Sequence, residues 1–289
     1  MYAPAFDYHR PSSVAEAQRL LAANPGAKLL AGGHSLLPMM KLRLAAPTAL
    51  VDIGRIDALR GITEANGGLR IGAMTTHASV ASSAALKKAC PVVAEAASHI
   101  GDMAVRNRGT IGGSVAHADP SADMPTVLTA VGATMEIAGA NGATRTVAAA
   151  DFFQGMMATA LGDGEILTGI WVPAAGAGTG AAYAKFSHPA SRYAVVGAAA
   201  ALTLRGGACE RAIIIVGGVT AMPTRLAAVE NALVGTAADD AAIAKAAAAA
   251  AGDLGADLMG DIYASADYRR HVTGTYVARA ITAAAARAR

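Results

Sequence analysis

The stretch KLLAGGHSLLP, residues 28–38, decides how the first part of the chain folds. The apolar KLL is typical of a short buried strand, and Pro38 lies near a plausible helix start. The turn between them holds two glycines, a histidine and a serine. Glycine tolerates positive φ and lets backbone N–H groups approach a ligand, so such a turn can bind a phosphate. A tight turn in which His34 is satisfied locally is the alternative that this stretch alone leaves open.

A second glycine-rich stretch, GTIGGSVAHADP, follows at residues 109–120. Thr110 and Ser114 offer hydroxyls on either side of residues 111–113, whose backbone is expected to lie against a second phosphate or a sugar. Neither stretch is a GxGxxG or a GxxxxGK[ST] motif, which disfavours a standard nicotinamide-binding fold and a P-loop nucleotidase. Two such loops in successive units suggest a long dinucleotide lying between them.

Composition narrows the class of protein. The 289 residues predict two or three compact units, and 54% of them are hydrophobic, yet no uninterrupted apolar run reaches the roughly 18 residues of a membrane span. The start of the chain has no basic segment followed by an apolar run, so no signal peptide is expected and a cytoplasmic protein is predicted. A net charge of +3 with four Phe and one Trp disfavours nucleic-acid binding.

The two cysteines, Cys90 and Cys209, lie far apart and outside any metal-binding spacing. Each is predicted to be a buried free thiol. Two cysteines cannot ligate an ordinary four-cysteine iron–sulfur cluster. Any cluster that serves this chain must therefore belong to another polypeptide.

The order of predicted elements divides the chain into three units. Residues 1–54 alternate strands and helices. Residues 55–175 begin with a hairpin around Asn66-Gly67-Gly68 and continue with helices and further strands. Residues 176–289 start with three strand-like runs and end in alanine-rich helices from about residue 224.

Four segments together resemble a known family: AGGHSLLPMMKLRLAAPTALVDIG at 31–54, RIGAMTTH at 70–77, RNRGTIGGSVAHADPSADMP at 106–125 and KFSHPASRYAVVGAA at 185–199. They are similar, in order and spacing, to the FAD-binding medium subunits of molybdenum hydroxylases. That family includes bacterial carbon-monoxide-dehydrogenase medium chains and the subunits of enzymes that oxidise aldehydes or N-heterocycles. The resemblance covers essentially the whole chain.

The resemblance implies an α+β fold. A two-part FAD-binding domain of the vanillyl-alcohol-oxidase-like (PCMH) type precedes a C-terminal α/β domain with a small antiparallel sheet and helices. Residues 1–54 become the first FAD-binding subdomain, residues 55–175 the second, and residues 176–289 the C-terminal domain. FAD is then expected to run extended between the two subdomains.

The resemblance also assigns cofactor contacts. The residues implied to wrap the pyrophosphate are Ala31, Gly32, Gly33, His34, Ser35 and Leu36. The second loop is implied to meet the cofactor through Thr110, Gly112, Gly113 and Ser114, the last standing where some relatives carry asparagine. The remaining implied contacts are Asp123 at the adenosine end, Ile100 and Leu167 as apolar neighbours, Lys185 near the flavin ring and Tyr193 beside the isoalloxazine. No residue is predicted to be catalytic or to ligate a metal.

Some of these side chains also have ordinary structural roles as alternatives to cofactor binding. Without the resemblance, Lys185 reads as a solvated strand lysine and Tyr193 as a core aromatic. Near a flavin, a lysine would stabilise the anionic reduced form, and a tyrosine would limit solvent access. His117 lies in the second loop, and whether it touches the cofactor is open. His77 is predicted to be structural or on the surface, and no covalent flavin–histidine link is implied.

The function implied is electron transfer within a larger enzyme. A large subunit would carry the molybdenum cofactor and hydroxylate the substrate, and a small subunit would carry two [2Fe–2S] clusters. This chain would take electrons from those clusters and pass them from FAD to an external acceptor. The assembly would be a dimer of heterotrimers in the cytoplasm, and association with the inner face of the membrane through the complex is left open, as are substrate and acceptor.

Two competing hypotheses remain at this stage. One is a self-contained FAD-dependent oxidoreductase acting directly on a small substrate. It would need a base beside the flavin N5, and the chain offers no convincing one, while its C-terminal region leaves little room for a substrate domain. The other is a nucleotide-binding module without a redox cofactor. Retention of flavin separates this module from both flavoproteins.

Overall fold

The first unit is a small parallel sheet with two helices. A computed structural model describes residues 2–289, and its element order begins β1–α1–β2–α2–β3, with the three strands in the order β1-β3-β2 and both pairs parallel. The elements are β1 Asp7–His9, α1 Val14–Ala23, β2 Lys28–Leu30, α2 Leu36–Lys41 and β3 Ala49–Asp52. The predicted strand, turn and helix of residues 28–41 are confirmed. Parallel strands bring the loop after β2 to the same edge as the end of β3.

Helix α1 is capped at its N-terminus by side chains of Ser13 and Glu16. The Ser13 hydroxyl accepts a hydrogen bond from the Glu16 N–H at 3.2 Å, and the Glu16 carboxylate accepts one from the Ser12 N–H at 2.8 Å. Ala17 is fully buried and packs into a small core with Val51 and Ile53 of the sheet. This packing holds β2, and the glycine turn that follows it, against the rest of the unit.

The second unit is an antiparallel sheet of five strands in the order β4-β5-β10-β6-β7. Those strands are β4 Ile62–Ala65, β5 Gly68–Gly72, β6 Thr134–Ala138, β7 Thr144–Ala148 and β10 Ile166–Pro173. The hairpin predicted at Asn66-Gly67 joins β4 and β5, and both residues have positive φ, 50° and 72°. Positive φ at both central positions is what a two-residue hairpin turn requires.

Seven helices and a short hairpin accompany this sheet. They are α3 His77–Ser82, α4 Ala84–Ala89, α5 Pro91–Ser98, α6 Met103–Arg108, α7 Ile111–His117, α8 Asp123–Ala130, α9 Ala149–Phe152, β8 Phe153–Gly155 and β9 Ala158–Thr159. The largest apolar core lies between these helices and the sheet, around Ile71, Val93, Met124 and Phe152. One expectation was wrong: most of the second glycine stretch forms helix α7 instead of an open loop.

The third unit is a four-stranded antiparallel sheet covered by helices. Its strands are β11 Thr179–Ser187, β12 Ala194–Arg205, β13 Ala208–Gly217 and β14 Thr224–Arg225, paired in chain order. Its helices are α10 Ala227–Leu233, α11 Asp240–Ala248, α12 Ala250–Asp253 and α13 Ala266–Ala288. The three strand-like runs and the alanine-rich helices predicted from the sequence are confirmed.

The three larger sheets, the two-stranded hairpin β8-β9 and the helices give the mixed helix and strand content expected of the α+β class. The boundaries predicted at 54/55 and 175/176 fall between β3 and β4 and between β10 and β11, and they stay predictions. Cys90 and Cys209 are buried free thiols, as expected. Within residues 2–289, no helix is both long and apolar enough to cross a membrane.

Candidate functional site

The first glycine loop leaves a row of backbone donors available to a ligand. Within residues 2–289, no protein acceptor is found for the N–H groups of residues 32–35. Gly33 has φ of 75°, which few L-residues adopt without strain. Its carbonyl accepts the Leu37 N–H at 3.1 Å, so the chain turns directly into α2. Successive free N–H groups in such a turn form a concavity that suits a phosphate.

His34 lies on the outside of this loop. Its side chain is exposed, and its Nδ1 lies 3.1 Å from the Gly32 carbonyl oxygen. The local turn with a satisfied histidine therefore exists, and it leaves the backbone donors of the loop unused. The turn and the phosphate-binding loop are compatible interpretations of the same residues.

The second glycine stretch has no comparable row of free donors. The expectation that the backbone of residues 111–113 binds a second phosphate or a sugar is therefore wrong for its N–H groups. Its N–H groups at residues 111–113 donate to Thr75 O, Ala73 O and Thr110 Oγ1, at 3.0, 2.9 and 3.1 Å. Those amides are therefore occupied and cannot bind a second phosphate. The surface left for a ligand consists of side chains and Cα atoms at the half-buried Gly113 and Ser114, whereas the Thr110 side chain is buried.

Glycine is needed in this helix for close packing instead. A Cβ on Gly112 would lie 2.6 Å from the carbonyl oxygen of Ala73, at the end of β5. Only a residue without a side chain lets α7 approach the sheet so closely. Gly112 is buried, so its contact with a ligand would have to be indirect.

The two glycine stretches lie against each other. A Cβ on Gly32 would lie 2.8 Å from the Cα of Gly109 and would also collide with the Arg108 carbonyl oxygen. A Cβ on Gly113 would lie 3.5 Å from the Cβ of Ala31. The loop between β2 and α2 therefore packs directly on the segment that leads into α7. The two motifs form one surface, as the sequence suggested.

Tyr193 brings a third segment to this surface. It lies in the turn between β11 and β12, 40% of it is exposed, and the Ser35 hydroxyl lies close enough to affect its pKa. Burial raises the pKa of Tyr193, the Asp119 carboxylate raises it further, and the Ser35 hydroxyl opposes both effects. Tyr193 is therefore neither a free surface residue nor a core aromatic. It reaches across to the first glycine loop.

Asp123 and Lys185 form a buried ion pair. The Lys185 Nζ lies 2.7 Å from Asp123 Oδ2, and their side chains are 1% and 4% exposed. The Tyr183 hydroxyl donates to Asp123 Oδ1 at 2.5 Å, and Lys185 also donates to the His99 carbonyl at 3.2 Å. Burial raises the pKa of Asp123, while the Lys185 ammonium and the two hydrogen bonds oppose that rise. This cluster joins α8 of the second unit to β11 of the third.

The ion pair contradicts the roles that the resemblance assigned to its members. Asp123 was expected at the adenosine end of an extended cofactor and Lys185 at the flavin end. Two groups in direct contact cannot serve opposite ends of an extended dinucleotide, so at most one of these roles holds. Both carboxylate oxygens of Asp123 already accept hydrogen bonds from this chain. A ligand would therefore meet the pair as a neutral unit.

Tyr183 was missed by the sequence reasoning. It precedes Lys185 by two residues on β11, so alternation along the strand puts both side chains on the same face. That spacing was the available signal. No sequence signal linked Tyr183 to its partner Asp123, since Asp123 lies about sixty residues earlier in the chain.

The remaining predicted residues make no contact that defines a role for them at this surface. Leu36 is the first residue of α2, and His117 the last of α7. Ile100 is half-buried, and its carbonyl accepts Arg106 Nη1 at 2.9 Å. Leu167 is buried in β10 within the main core. Their contacts with a cofactor stay predictions.

His77 is structural, and its buried ring makes a pH-dependent prediction. It is 4% exposed, its ring lies against Gly109, and its Nδ1 has no hydrogen-bond partner among the described residues. Burial, with a smaller effect of His34, lowers the pKa of His77 from 6.5 to about 4. As the pH falls, the unfolded chain therefore takes up a proton on His77 before the folded chain does. Stability due to neutral His77 is complete above pH 6.5 and is lost as the pH falls towards about 4.

We expect His77 to lower the free energy of unfolding by about 2 kcal/mol between pH 7 and pH 5. His77→Gln should remove that part of the pH dependence, whereas His34→Gln, at an exposed position, should retain it. Denaturant titrations of the three proteins at both pH values measure the difference. Equal pH dependence in wild type and His77→Gln would contradict the prediction.

Comparison with known proteins agrees with this architecture over the whole chain. Residues 4–175 match the family described as FAD binding domain in molybdopterin dehydrogenase, and residues 181–284 match the CO dehydrogenase flavoprotein C-terminal domain. The chain is 42% identical to the carbon monoxide dehydrogenase medium chain of Afipia carboxidovorans, over 98% of both chains. It is 35% identical to the nicotine 6-hydroxylase medium subunit of Paenarthrobacter nicotinovorans, over 99% of this chain and 100% of that one.

Solved structures give the same result. A structure of carbon monoxide dehydrogenase from Hydrogenophaga pseudoflava aligns with a TM-score of 0.94 and 44% identity, covering 99% of both chains. Quinoline 2-oxidoreductase from Pseudomonas putida 86 aligns with a TM-score of 0.93 and 36% identity, covering 100% of this chain and 99% of that one. The predicted fold class, a FAD-binding domain followed by a C-terminal domain, is confirmed.

Proposed function

The chain belongs to the FAD-binding medium subunits of molybdenum hydroxylases, and from this premise we propose that its joined glycine surface holds FAD for electron transfer within a multi-subunit dehydrogenase. The observation that carries the proposal is the row of unpaired N–H groups at residues 32–35, lying beside the second glycine stretch. A dinucleotide pyrophosphate needs such donors. When bound, FAD supplies a centre that exchanges one or two electrons at a time.

Each segment has a distinct task in this proposal. Residues 31–36 hold the pyrophosphate through backbone N–H groups and the Ser35 hydroxyl. The second stretch contributes the half-buried Gly113 and Ser114. The buried Thr110 acts by capping α7, and Gly112 acts by letting α7 pack closely. Tyr193 covers the first loop and limits access of water. Ile100, His117 and Leu167 complete the proposed apolar and polar surroundings.

The buried ion pair changes what Lys185 can do for a flavin. A lone ammonium would favour negative charge on the reduced ring. Here the Asp123 carboxylate lies 2.7 Å away and cancels most of that charge. We therefore propose that Lys185 acts on the cofactor as a hydrogen-bond donor and as half of an oriented dipole.

Partner subunits are part of the proposal. Medium chains of this family occur in multi-subunit dehydrogenases, which implies a large and a small partner. This chain has only two cysteines, both free and buried, so a four-cysteine iron–sulfur cluster must lie on a partner. We propose that the small subunit carries two [2Fe–2S] clusters and the large subunit the molybdenum cofactor. We propose a dimer of heterotrimers in the cytoplasm, which can also lie at the inner face of the membrane.

The substrate is left to the partner that binds it. Relatives include subunits named for carbon monoxide, glyceraldehyde, nicotine and caffeine. Because chains similar to this one serve enzymes with such different substrates, we propose that the medium chain does not select the substrate.

Native purification tests the proposal. We expect the chain, isolated from its host without denaturation, to show flavin absorbance overlaid by iron–sulfur absorbance, with molybdenum and two further polypeptides. The visible spectrum, metal analysis and the identity of co-purifying chains are the measurements. Flavin in a lone polypeptide without iron or molybdenum would instead favour a self-contained oxidoreductase. Absence of flavin even after addition of FAD would contradict both.

A further inference from the structure

Arg269 is a buried arginine in the third unit, and its guanidinium binds several chain segments at one place, which is called the junction below. It lies near the start of α13, and it is 3% exposed. Its Nη2 lies 2.6 Å from Asp261 Oδ2, and its Nε donates to the Ala264 carbonyl at 3.3 Å. Its Nη1 donates to the carbonyls of Val195 and Gly218, at 3.1 and 2.6 Å. The planar guanidinium thus joins three separate chain segments.

Gly218 shows how tightly two of those segments meet. It has φ of 79°, and a Cβ there would lie 2.5 Å from the Ala194 carbonyl oxygen. Its N–H donates to the Pro120 carbonyl at 2.8 Å, and the Ala194 N–H donates to the Ser121 carbonyl at 3.0 Å. The junction under Arg269 is therefore bonded to the residues that follow helix α7.

Tyr193 is the residue immediately before this junction. Its carbonyl accepts the His188 N–H at 2.8 Å, which closes the turn on its other side. The His188 Nδ1 accepts N–H groups from Ala190 and Ser191, both at 3.2 Å, so the turn is also braced internally. Ala194, the next residue, is bonded to Ser121, directly after the second glycine stretch, so the main chain of Tyr193 is held at both ends beside the glycine surface. There the Ser35 hydroxyl of the first glycine loop lies close enough to lower the pKa of Tyr193.

We propose that Arg269 is a positioning residue for the cofactor site, which it serves by holding Tyr193 over the first glycine loop. The inference rests on the proposed function, because the cofactor concerned is FAD. Arg269 touches no part of the glycine surface itself. It acts through the Val195 and Gly218 carbonyls, which only a forked, permanently charged donor with several N–H groups can bind together with Asp261.

The same helix provides a matched control. Arg270 donates to the Ala251 and Gly255 carbonyls, at 2.8 and 2.5 Å, on a part of the third unit away from the junction. Arg269→Lys and Arg270→Lys both retain the positive charge, and both lose the planar guanidinium with its several N–H donors. Arg270 is half-buried, and a general requirement for arginine–carbonyl contacts on this helix would affect the two variants alike.

The test measures FAD binding by the full chain, with and without the Tyr193 ring. We expect Arg269→Lys to weaken FAD binding about tenfold and to make the bound flavin more accessible to iodide quenching. Arg270→Lys should stay within about twofold of wild type. In a Tyr193→Ala background, Arg269→Lys should add less than about twofold, since the ring that it positions is gone.

Other outcomes separate the two proposals. Equal FAD affinity and equal quenching in the two lysine variants would overturn the role of Arg269, as would additive effects with Tyr193→Ala. If Arg269→Lys does not fold, Asp261→Asn provides the test instead. Asp261 is half-exposed, so this variant weakens only its ion pair with the Arg269 guanidinium. We expect about threefold weaker FAD binding, and unchanged binding would overturn the inference. Wild type that binds no FAD would instead overturn the proposed function.

Discussion

Replacing Lys185 with methionine is expected to lower the free energy of unfolding by about 3–5 kcal/mol at neutral pH. The side chain is 1% exposed, and its ammonium is the charged partner of Asp123. Methionine fills a similar volume but leaves a buried carboxylate with the Tyr183 hydroxyl as its remaining side-chain donor. An unpaired buried charge is far more costly than an absent pair, since nothing offsets its lost hydration.

Chemical denaturation of the full chain measures this loss. The control is Arg205→Met, which removes the basic half of an ion pair with Glu210 whose side chains are 74% and 55% exposed. Exposed pairs contribute little, so that variant should lose less than about 1 kcal/mol. Similar losses in the two variants would show that the buried pair contributes no more than a surface contact.

The same variant should have an altered pH dependence. Burial already raises the pKa of Asp123, and removing the Lys185 ammonium removes the largest effect that lowers it. A carboxyl group with a raised pKa in the folded state releases its proton on unfolding. The stability of Lys185→Met relative to wild type should therefore fall as the pH rises above the ordinary range of a carboxyl. A penalty that is larger at about pH 5 than at about pH 8 would contradict this assignment.

Replacing Gly32 with alanine is expected to weaken FAD binding by about 100-fold. A Cβ at this position would collide with the backbone of Arg108 and Gly109, and rigid backbone cannot give way as a side-chain tip can. The first glycine loop would have to move by about 1 Å to restore ordinary contact. That displacement separates the N–H groups of residues 32–35 from the second glycine stretch, and the pyrophosphate would then lose its aligned donors.

FAD titration of the full chain and thermal denaturation together distinguish loss of the site from loss of the fold. Overpacking at the loop should destabilise the protein by about 1–3 kcal/mol, which leaves it folded. Gly252→Ala is the control, because a Cβ there meets nothing within 4 Å. It should bind FAD like wild type. Unchanged affinity in Gly32→Ala would mean that the joined glycine surface does not hold the cofactor.

Local signals in the sequence were enough for much of the fold. The run of Lys28–Leu30 followed by Gly32-Gly33 specified a strand and a turn, and Asn66-Gly67 specified a hairpin, because each depends on residues adjacent in the chain. Two cysteines were enough to place any iron–sulfur cluster outside this chain. The resemblance of four segments to one family then predicted the architecture that the comparisons confirm.

The second glycine stretch shows where local reasoning failed. Two adjacent glycines are poor helix formers, so an open loop was expected at residues 111–113. The structure has a helix there because Ala73 and Thr75, far back in the chain, accept two of its N–H groups, and because glycine permits close contact with β5. The helix is stabilised by tertiary contacts that its own sequence cannot supply.

The sequence by itself determined most of the elements, the two glycine motifs and the lack of a metal-binding set of cysteines, all of which depend on residue type and short spacing. Only the tertiary structure decided which donors stay free, that Asp123 pairs with Lys185, and that Arg269 lies beneath the segment carrying Tyr193. The members of each pair are separated by about 60 residues or more, and no periodicity or motif links positions so far apart. The contact of Asp123 with Lys185 results from packing of the third unit on the second, and that of Arg269 with Val195 from packing of α13 on β12 within the third unit. In both places a buried charge is stable only beside its partner.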